Sequence, residues 1–215
     1  SMLAWQGLLI AIAVLSLVIG NITAIAQTNL KRMFAYSSIT HMGFVILGFV
    51  AGSIDGYASA MFYVIVYAAM SLAGFGLIVA LSHQGFEAER IADFSGLGKR
   101  NPLMAFLMIV ILLSMAGIPP LLGFYAKVTI LSSLVNAGLA WLAIFAVVMA
   151  LIGAFYYLRV VKVMYFDEPL EHDSVSVDFS STSVRYGLVA LVTTILVVGF
   201  FPGNLLSIIG FVMTY

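Results

Sequence analysis

Lys127 sits where a lysine is hard to keep. It follows the stretch Gly117-Ile118-Pro119-Pro120-Leu121-Leu122-Gly123, inside an apolar run that extends from Pro102 to about Val135. A cation near the centre of a bilayer costs at least about 2.5–3.5 kcal/mol on insertion scales. Proline removes a backbone N–H and clashes with the preceding turn. A broken helix carrying an ionisable group is tolerated only where it faces protein or water. The chemistry this pattern suggests is ion or proton transfer, with Lys127 on the path. Gly117, Pro119, Pro120 and Gly123 would form the break that makes room for it. Desolvation disfavours the charged form of an amine, so a lysine here could gain and lose a proton.

His41 is the second candidate, within Tyr36-Ser37-Ser38-Ile39-Thr40-His41-Met42-Gly43. Ser37 and His41 are four residues apart and share a helix face, and histidine is suited to relaying protons near neutral pH. Tyr63, Tyr67 and Ser71 follow at four-residue steps, a hydroxyl stripe that could hold water. The plainer reading of both groups is interhelical packing through polar and small residues, with Gly74 allowing close approach. Lys31 could reach into the protein where the first helix ends in polar residues, although Lys31-Arg32 are more simply a headgroup anchor. Arg159 and Lys162 read as another anchor, and Glu87, Glu89 and Asp93 as a solvated face. No acidic residue falls within an expected span, so a cation path in this chain would need a counter-charge from elsewhere.

These side chains must be carried by helices. The chain has 215 residues, 63% hydrophobic and 8% charged, with mean hydropathy +1.16. Soluble domains carry about 25% charged residues, so an integral membrane protein is expected. Apolar runs of about 20 residues recur, and the alternation of a membrane β-barrel is absent. The expected fold is an all-α polytopic bundle of six spans in a single membrane domain, 1–215. The spans are about 3–26, 33–51, 57–82, 102–135 (broken at 117–120), 139–164 and 184–213. Loops 83–101 and 165–183 separate them. Ile91, Phe94 and Leu97 suggest a short surface helix in the first loop, and Asn101-Pro102 a cap with proline at the first helical position. Gly52–Gly56 reads as a tight turn, and Pro202-Gly203-Asn204 as a bend or end of the sixth span.

Composition also excludes. The sequence has no cysteine, hence no disulfide and no cysteine-ligated iron–sulfur cluster. His41, His83 and His172 are too far apart for a short-range metal signature. No metal or cofactor site is expected, and any redox chemistry would belong to another subunit. A net charge of zero gives no nucleic-acid footprint. No phosphate loop or nucleophile constellation is present. The start Ser1-Met2-Leu3 lacks the basic flank of a signal peptide and reads as lying within a longer sequence.

Orientation follows from the basic residues. Lys31, Arg32, Arg90, Lys99, Arg100, Arg159, Lys162 and Arg185 fall in or beside the first–second, third–fourth and fifth–sixth connections. That is eight of the nine Lys and Arg residues, the ninth being Lys127. The positive-inside rule makes that face cytoplasmic, with both termini on the other side.

The run Ala26-Gln27-Thr28-Asn29-Leu30-Lys31-Arg32-Met33-Phe34-Ala35-Tyr36-Ser37-Ser38-Ile39-Thr40-His41-Met42-Gly43 resembles the antiporter-like membrane subunits of respiratory complex I, and most closely the subunit N type. Ala116-Gly117-Ile118-Pro119 followed by Gly123-Phe124 and Lys127 is similar to that family's broken helix with its membrane lysine. Gly96-Leu97 ahead of Pro102 also fits. The resemblance covers essentially the whole chain. It implies the antiporter-like fold, here its last six helices, in a proton-translocating subunit of NADH:quinone oxidoreductase in the bacterial inner membrane. Lys127 would then belong to the output half of the proton path and His41 to the central hydrophilic axis. NADH and quinone would be used elsewhere in the complex. The partners implied are other membrane-arm subunits, including paralogous antiporter-like ones, and lipid. Two other readings stay open: a subunit of a multisubunit cation/proton antiporter, and a helix bundle that only scaffolds a membrane complex.

Overall fold

In a bilayer the backbone must satisfy its own hydrogen bonds, which leaves helices as the element for apolar runs of this length. The computed structural model describes residues 2–82, 88–169, 182–203 and 207. Its elements are helices α1 (Met2–Ile25), α2 (Leu30–Val50), α3 (Ile54–Ala80), α4 (Leu97–Arg100), α5 (Pro102–Ala116), α6 (Leu122–Asn136), α7 (Ala140–Phe166) and α8 (Thr182–Phe200), with a 3-10 turn at Ile91–Phe94. Five of these, α1, α2, α3, α7 and α8, are long and apolar enough to cross a membrane. The chain is an all-α integral membrane protein. The run from Pro102 divides into α5 and α6, each of 15 residues.

Local chemistry sets the helix ends. Asn29 Oδ1 accepts the Arg32 N–H at 3.0 Å and starts α2, so Lys31 and Arg32 lie in its first turn. Ser53 Oγ accepts the Gly56 N–H at 3.1 Å. Residues 54–56, expected in a tight turn, are therefore already helical, and Asp55 lies exposed in the first turn of α3. Asn101 Oδ1 accepts the Met104 N–H at 3.1 Å with Pro102 at the first helical position. α5 ends at Gly117, whose φ of +87° is left-handed and is the usual backbone of a glycine that stops a helix. The Pro119–Pro120 bond is cis.

α1 lies along α2, and α3 in turn packs on α2, α5, α6 and α8. Small residues permit the closest approaches: a side chain at Gly20 of α1 would strike Thr40 of α2, and one at Gly74 of α3 would strike the Phe34 ring. α7 closes the bundle against α1, α5 and α6.

The segment before α5 differs from the surface helix expected there. It is a 3-10 turn followed by one helical turn, and Ile91, Phe94 and Leu97 are buried. Backbone pairing holds it in place: the Leu30 N–H donates to the Glu89 carbonyl at 2.6 Å, and the Ile91 N–H to the Thr28 carbonyl at 2.9 Å. Apolar side chains that look like a membrane-surface stripe in sequence are instead a plug under one end of the bundle. Glu87, His83, His172 and Glu171, most of the second loop and, apart from residue 207, the tail beyond residue 203 lie outside the described residues.

Candidate functional site

The break places Lys127 inside the protein. Its first turn in α6 contains Gly123, which sits so close to α5 that a Cβ there would overlap the Ser114 carbonyl oxygen. One turn on, Lys127 is 8% exposed. Its Nζ donates to the carbonyl oxygens of Met115 and Ala116, each at 2.9 Å. These are carbonyls at the C-terminal end of α5, where a helix leaves its last acceptors without intrahelical partners. The same end carries the negative pole of the helix dipole. The carbonyls freed by the break thus receive the lysine directly. Among the described residues no carboxylate pairs with Lys127. Two positions on the nitrogen are committed to carbonyls in either charge state. The remaining one can hold or lose a proton.

Lys127 also lines a recess of about 360 Å³ between the break, α6 and α7, with Gly117, Pro119, Val128, Leu131 and Leu151 among its walls. On its other side Nζ lies 5.7 Å from the centre of the Phe44 ring. Phe44 stacks on Tyr63, 5.7 Å between ring centres at 8°. An aromatic step therefore connects the lysine to the histidine region.

His41 stands at the centre of a cage of tyrosines. It is 2% exposed. Its Nδ1 lies 2.8 Å from Tyr63 Oη and its Nε2 3.0 Å from Tyr157 Oη. Tyr67 stacks on the ring, 4.5 Å between centres at 25°. Tyr156 lies against Tyr157, 4.6 Å between ring centres. A neutral imidazole has one N–H donor and one acceptor nitrogen, and a phenol can play either part. With a phenol on each nitrogen, both tautomers are fully hydrogen-bonded, so a proton can arrive at one side of the ring as another leaves the opposite side. His41 and Lys127 are near enough for their charges to interact.

The remaining candidates divide. Tyr63 and Tyr67 join the cage, from a stripe that packing alone would also explain. Ser71 is only half-buried, on the same face of α3 one turn beyond Tyr67. Ser37 shares the buried face of α2 but turns its hydroxyl to the Phe34 carbonyl at 2.8 Å and lies beside Tyr157; its hydrogen bond is not to His41. Lys31 is outside this region. Its Nζ meets Glu89 Oε1 at 3.0 Å, and Glu89 Oε2 accepts from Asn29 Nδ2 at 3.0 Å. Glu89 is therefore a bridge between α2 and the buried segment, and Asp93 accepts the Arg90 N–H at 2.8 Å. Neither is a merely solvated side chain.

Two residues gain roles that their sequence context does not announce. Arg159, expected as a headgroup anchor, reaches across from α7 to the end of α1. It donates to the Ile25 carbonyl at 3.0 Å and the Gln27 carbonyl at 2.6 Å. Tyr157 lies 116 residues from His41, and only the tertiary fold joins them. A Tyr-Tyr pair in an apolar helix is the one trace it leaves in sequence.

The family described as "NADH:quinone oxidoreductase/Mrp antiporter, TM" matches residues 1–153. The NADH-quinone oxidoreductase subunit N of Methylovorus glucosotrophus is 53% identical over 211 residues, 98% of this chain and 43% of the relative. That of Alkalilimnicola ehrlichii is 54% identical over 203 residues, 94% of this chain and 41% of the relative. The chain thus spans less than half the length of these relatives. A chain of respiratory complex I from Thermus thermophilus with bound aureothin superposes with TM-score 0.81 at 28% identity, covering 94% of this chain and 45% of that one. A chain of the Mrp complex from Dietzia superposes with TM-score 0.82 at 20% identity, covering 96% and 46%, which is a likeness of fold.

Proposed function

Because the chain belongs to the NADH:quinone oxidoreductase/Mrp antiporter family of membrane subunits, we propose that it forms the output half of a proton path in a subunit-N type component of NADH:quinone oxidoreductase. The observation that carries this reading is Lys127, buried at a helix break and held by the Met115 and Ala116 carbonyls. A cation so placed has an electrostatic cost that a purely structural residue would not need to meet.

In this reading quinone reduction elsewhere in the complex drives the movement of charge. His41, held between Tyr63 and Tyr157, passes protons along the interior of the bundle. Lys127 receives a proton on its uncommitted position and releases it outward when neighbouring charges shift. NADH and quinone act in other parts of the complex, and no cofactor is assigned to this chain. Its partners are other membrane-arm subunits, paralogous antiporter-like ones among them, and lipid. Basic side chains support an orientation: Lys31, Lys99, Arg100, Arg159 and Lys162 all contact one end of the bundle. That end is the cytoplasmic one by the positive-inside rule, in a bacterial inner membrane with both termini periplasmic.

The test is NADH-driven proton uptake in membrane vesicles that carry the full-length subunit. Lys127→Ala and Lys127→Met abolish or strongly reduce uptake with normal assembly of the complex. Uptake at the unaltered rate in Lys127→Met would show that only packing matters there, as a scaffold would require. The fold likeness to an Mrp complex keeps a second reading, cation/proton antiport without electron transfer. Complementation of a salt-sensitive strain by the full-length subunit would favour it.

A further inference from the structure

The two halves of the broken helix complete each other's ends. α6 begins without a side-chain cap of its own, since its N-cap position is Leu121. The first N–H groups of a helix have no intrahelical acceptor. Ser114, in the last turn of α5, supplies one: its Oγ accepts the Gly123 N–H at 3.1 Å. That is the bond a capping serine makes within its own helix, here made from the other half. α5 in turn ends with carbonyls in need of donors, and Lys127 of α6 donates to two of them. Ser114 therefore caps α6, and Lys127 caps α5.

The surroundings leave little slack. Ser114 is fully buried. Its hydroxyl proton points to Met70 Sδ at 3.0 Å, which leaves the oxygen lone pairs for Gly123. Gly199 of α8 lies so close to the break that a Cβ there would come within 3.0 Å of the Leu122 nitrogen. Gly123 is one turn before Lys127 and on the same face of α6. A shift of that first turn is passed directly to the lysine.

We propose that Ser114 is a positioning residue for Lys127. By capping α6 from α5 it sets how α6 seats against the break, and so where Nζ meets the Met115 and Ala116 carbonyls. The role rests on the reading of Lys127 as a proton carrier. Of the titratable groups, His41 from α2 is near enough to interact with the charge on the lysine, and Tyr63 from α3 stands behind Phe44; α5 contributes the carbonyls, α7 walls the recess with apolar side chains, and α8 approaches the break through Gly199.

Ser114→Ala, Ser114→Cys and Ser114→Thr in the full-length subunit, within the assembled complex in vesicles, test it. The readouts are the amount of assembled complex and the pH profile of NADH-driven proton uptake. Ser114→Ala leaves a buried N–H without its acceptor; uptake falls by about tenfold and the midpoint of the pH profile moves. Ser114→Thr keeps the hydroxyl and restores both. If Ser114→Ala fails to assemble, Ser114→Cys carries the comparison, because a thiol is a weak acceptor: a moved midpoint supports the role and an unmoved one overturns it. Loss of assembled complex with an unmoved midpoint also overturns it. Normal uptake in Lys127→Ala would fell the functional reading itself. Lost uptake in Lys127→Ala beside unchanged uptake and an unmoved midpoint in Ser114→Ala would fell only the positioning role.

Discussion

Tyr157 Oη lies 3.0 Å from His41 Nε2, the mirror of the 2.8 Å contact between Tyr63 Oη and His41 Nδ1. A buried ring nitrogen that loses its partner costs about 1–3 kcal/mol. Tyr63→Phe and Tyr157→Phe each lower the melting temperature of the complex and slow proton uptake by about tenfold or more. In the double variant both nitrogens lack a phenol, and the loss exceeds that of either single change. Uptake in vesicles, normalised to assembled complex, measures the order.

Phe44 touches Lys127 on one side and Tyr63 on the other. Phe44→Ala opens a cavity between them and costs about 3–5 kcal/mol. Phe44→Leu keeps most of the volume and loses the ring stacking and the cation–π contact, worth about 0.5–2 kcal/mol. Thermal denaturation of the complex should rank them in that order.

Arg159 holds the Ile25 and Gln27 carbonyls with two nitrogens of one planar fork. Lysine offers a single point charge and cannot reproduce that fork. Arg159→Lys therefore destabilises by about 1–3 kcal/mol, and Arg159→Ala by more. Hydrogen exchange at the last turn of α1 should rise in both.

Glu89 and Lys31 form a half-exposed pair, with side chains 39% and 33% exposed. Such pairs contribute about 0–1 kcal/mol. Glu89→Gln should change the melting temperature little, and Lys31→Ala should leave proton uptake above half of its original rate. Uptake abolished by Lys31→Ala, with assembly intact, would return Lys31 to the proton path.

Gly199→Ala sets a methyl group against the backbone of the break rather than against a movable side chain. Overpacking of this kind costs about 1–3 kcal/mol. The amount of complex recovered from the membrane falls, and a compensating small residue nearby cannot restore it.

What sequence reveals here is what short range determines. The break between α5 and α6 is legible because Gly117, Pro119 and Pro120 act on their own backbone. The membrane character is legible because apolar runs need no partner to be recognised. Lys127 stands out because a cation in such a run is costly by itself. The cage around His41 is only half legible. Tyr63 and Tyr67 declare themselves by four-residue spacing, whereas Tyr157 is brought in by a helix far along the chain. Arg159 shows the same limit. Its acceptors are backbone carbonyls, which every residue has, so no side-chain pattern marks the bond. Ile91, Phe94 and Leu97 mislead for a related reason: an apolar stripe beside charges looks the same whether it faces lipid or a neighbouring helix.

The shortness of α6 has a consequence for how the chain enters a membrane as it is made. Fifteen residues at about 1.5 Å each cover roughly 22 Å, less than the roughly 30 Å of hydrocarbon. α6 also carries Lys127, Thr129, Ser132 and Ser133. Offered alone to lipid at the insertion machinery, such a segment partitions poorly, because lysine at a helix centre opposes insertion by about 2.5–3.5 kcal/mol. It becomes acceptable once α5 presents its terminal carbonyls to the ammonium. The unit that the membrane accepts is then the pair α5–α6, followed by α7, rather than each helix in turn. Sequence changes that separate the pair should appear first as poor insertion, before any effect on transport can be seen.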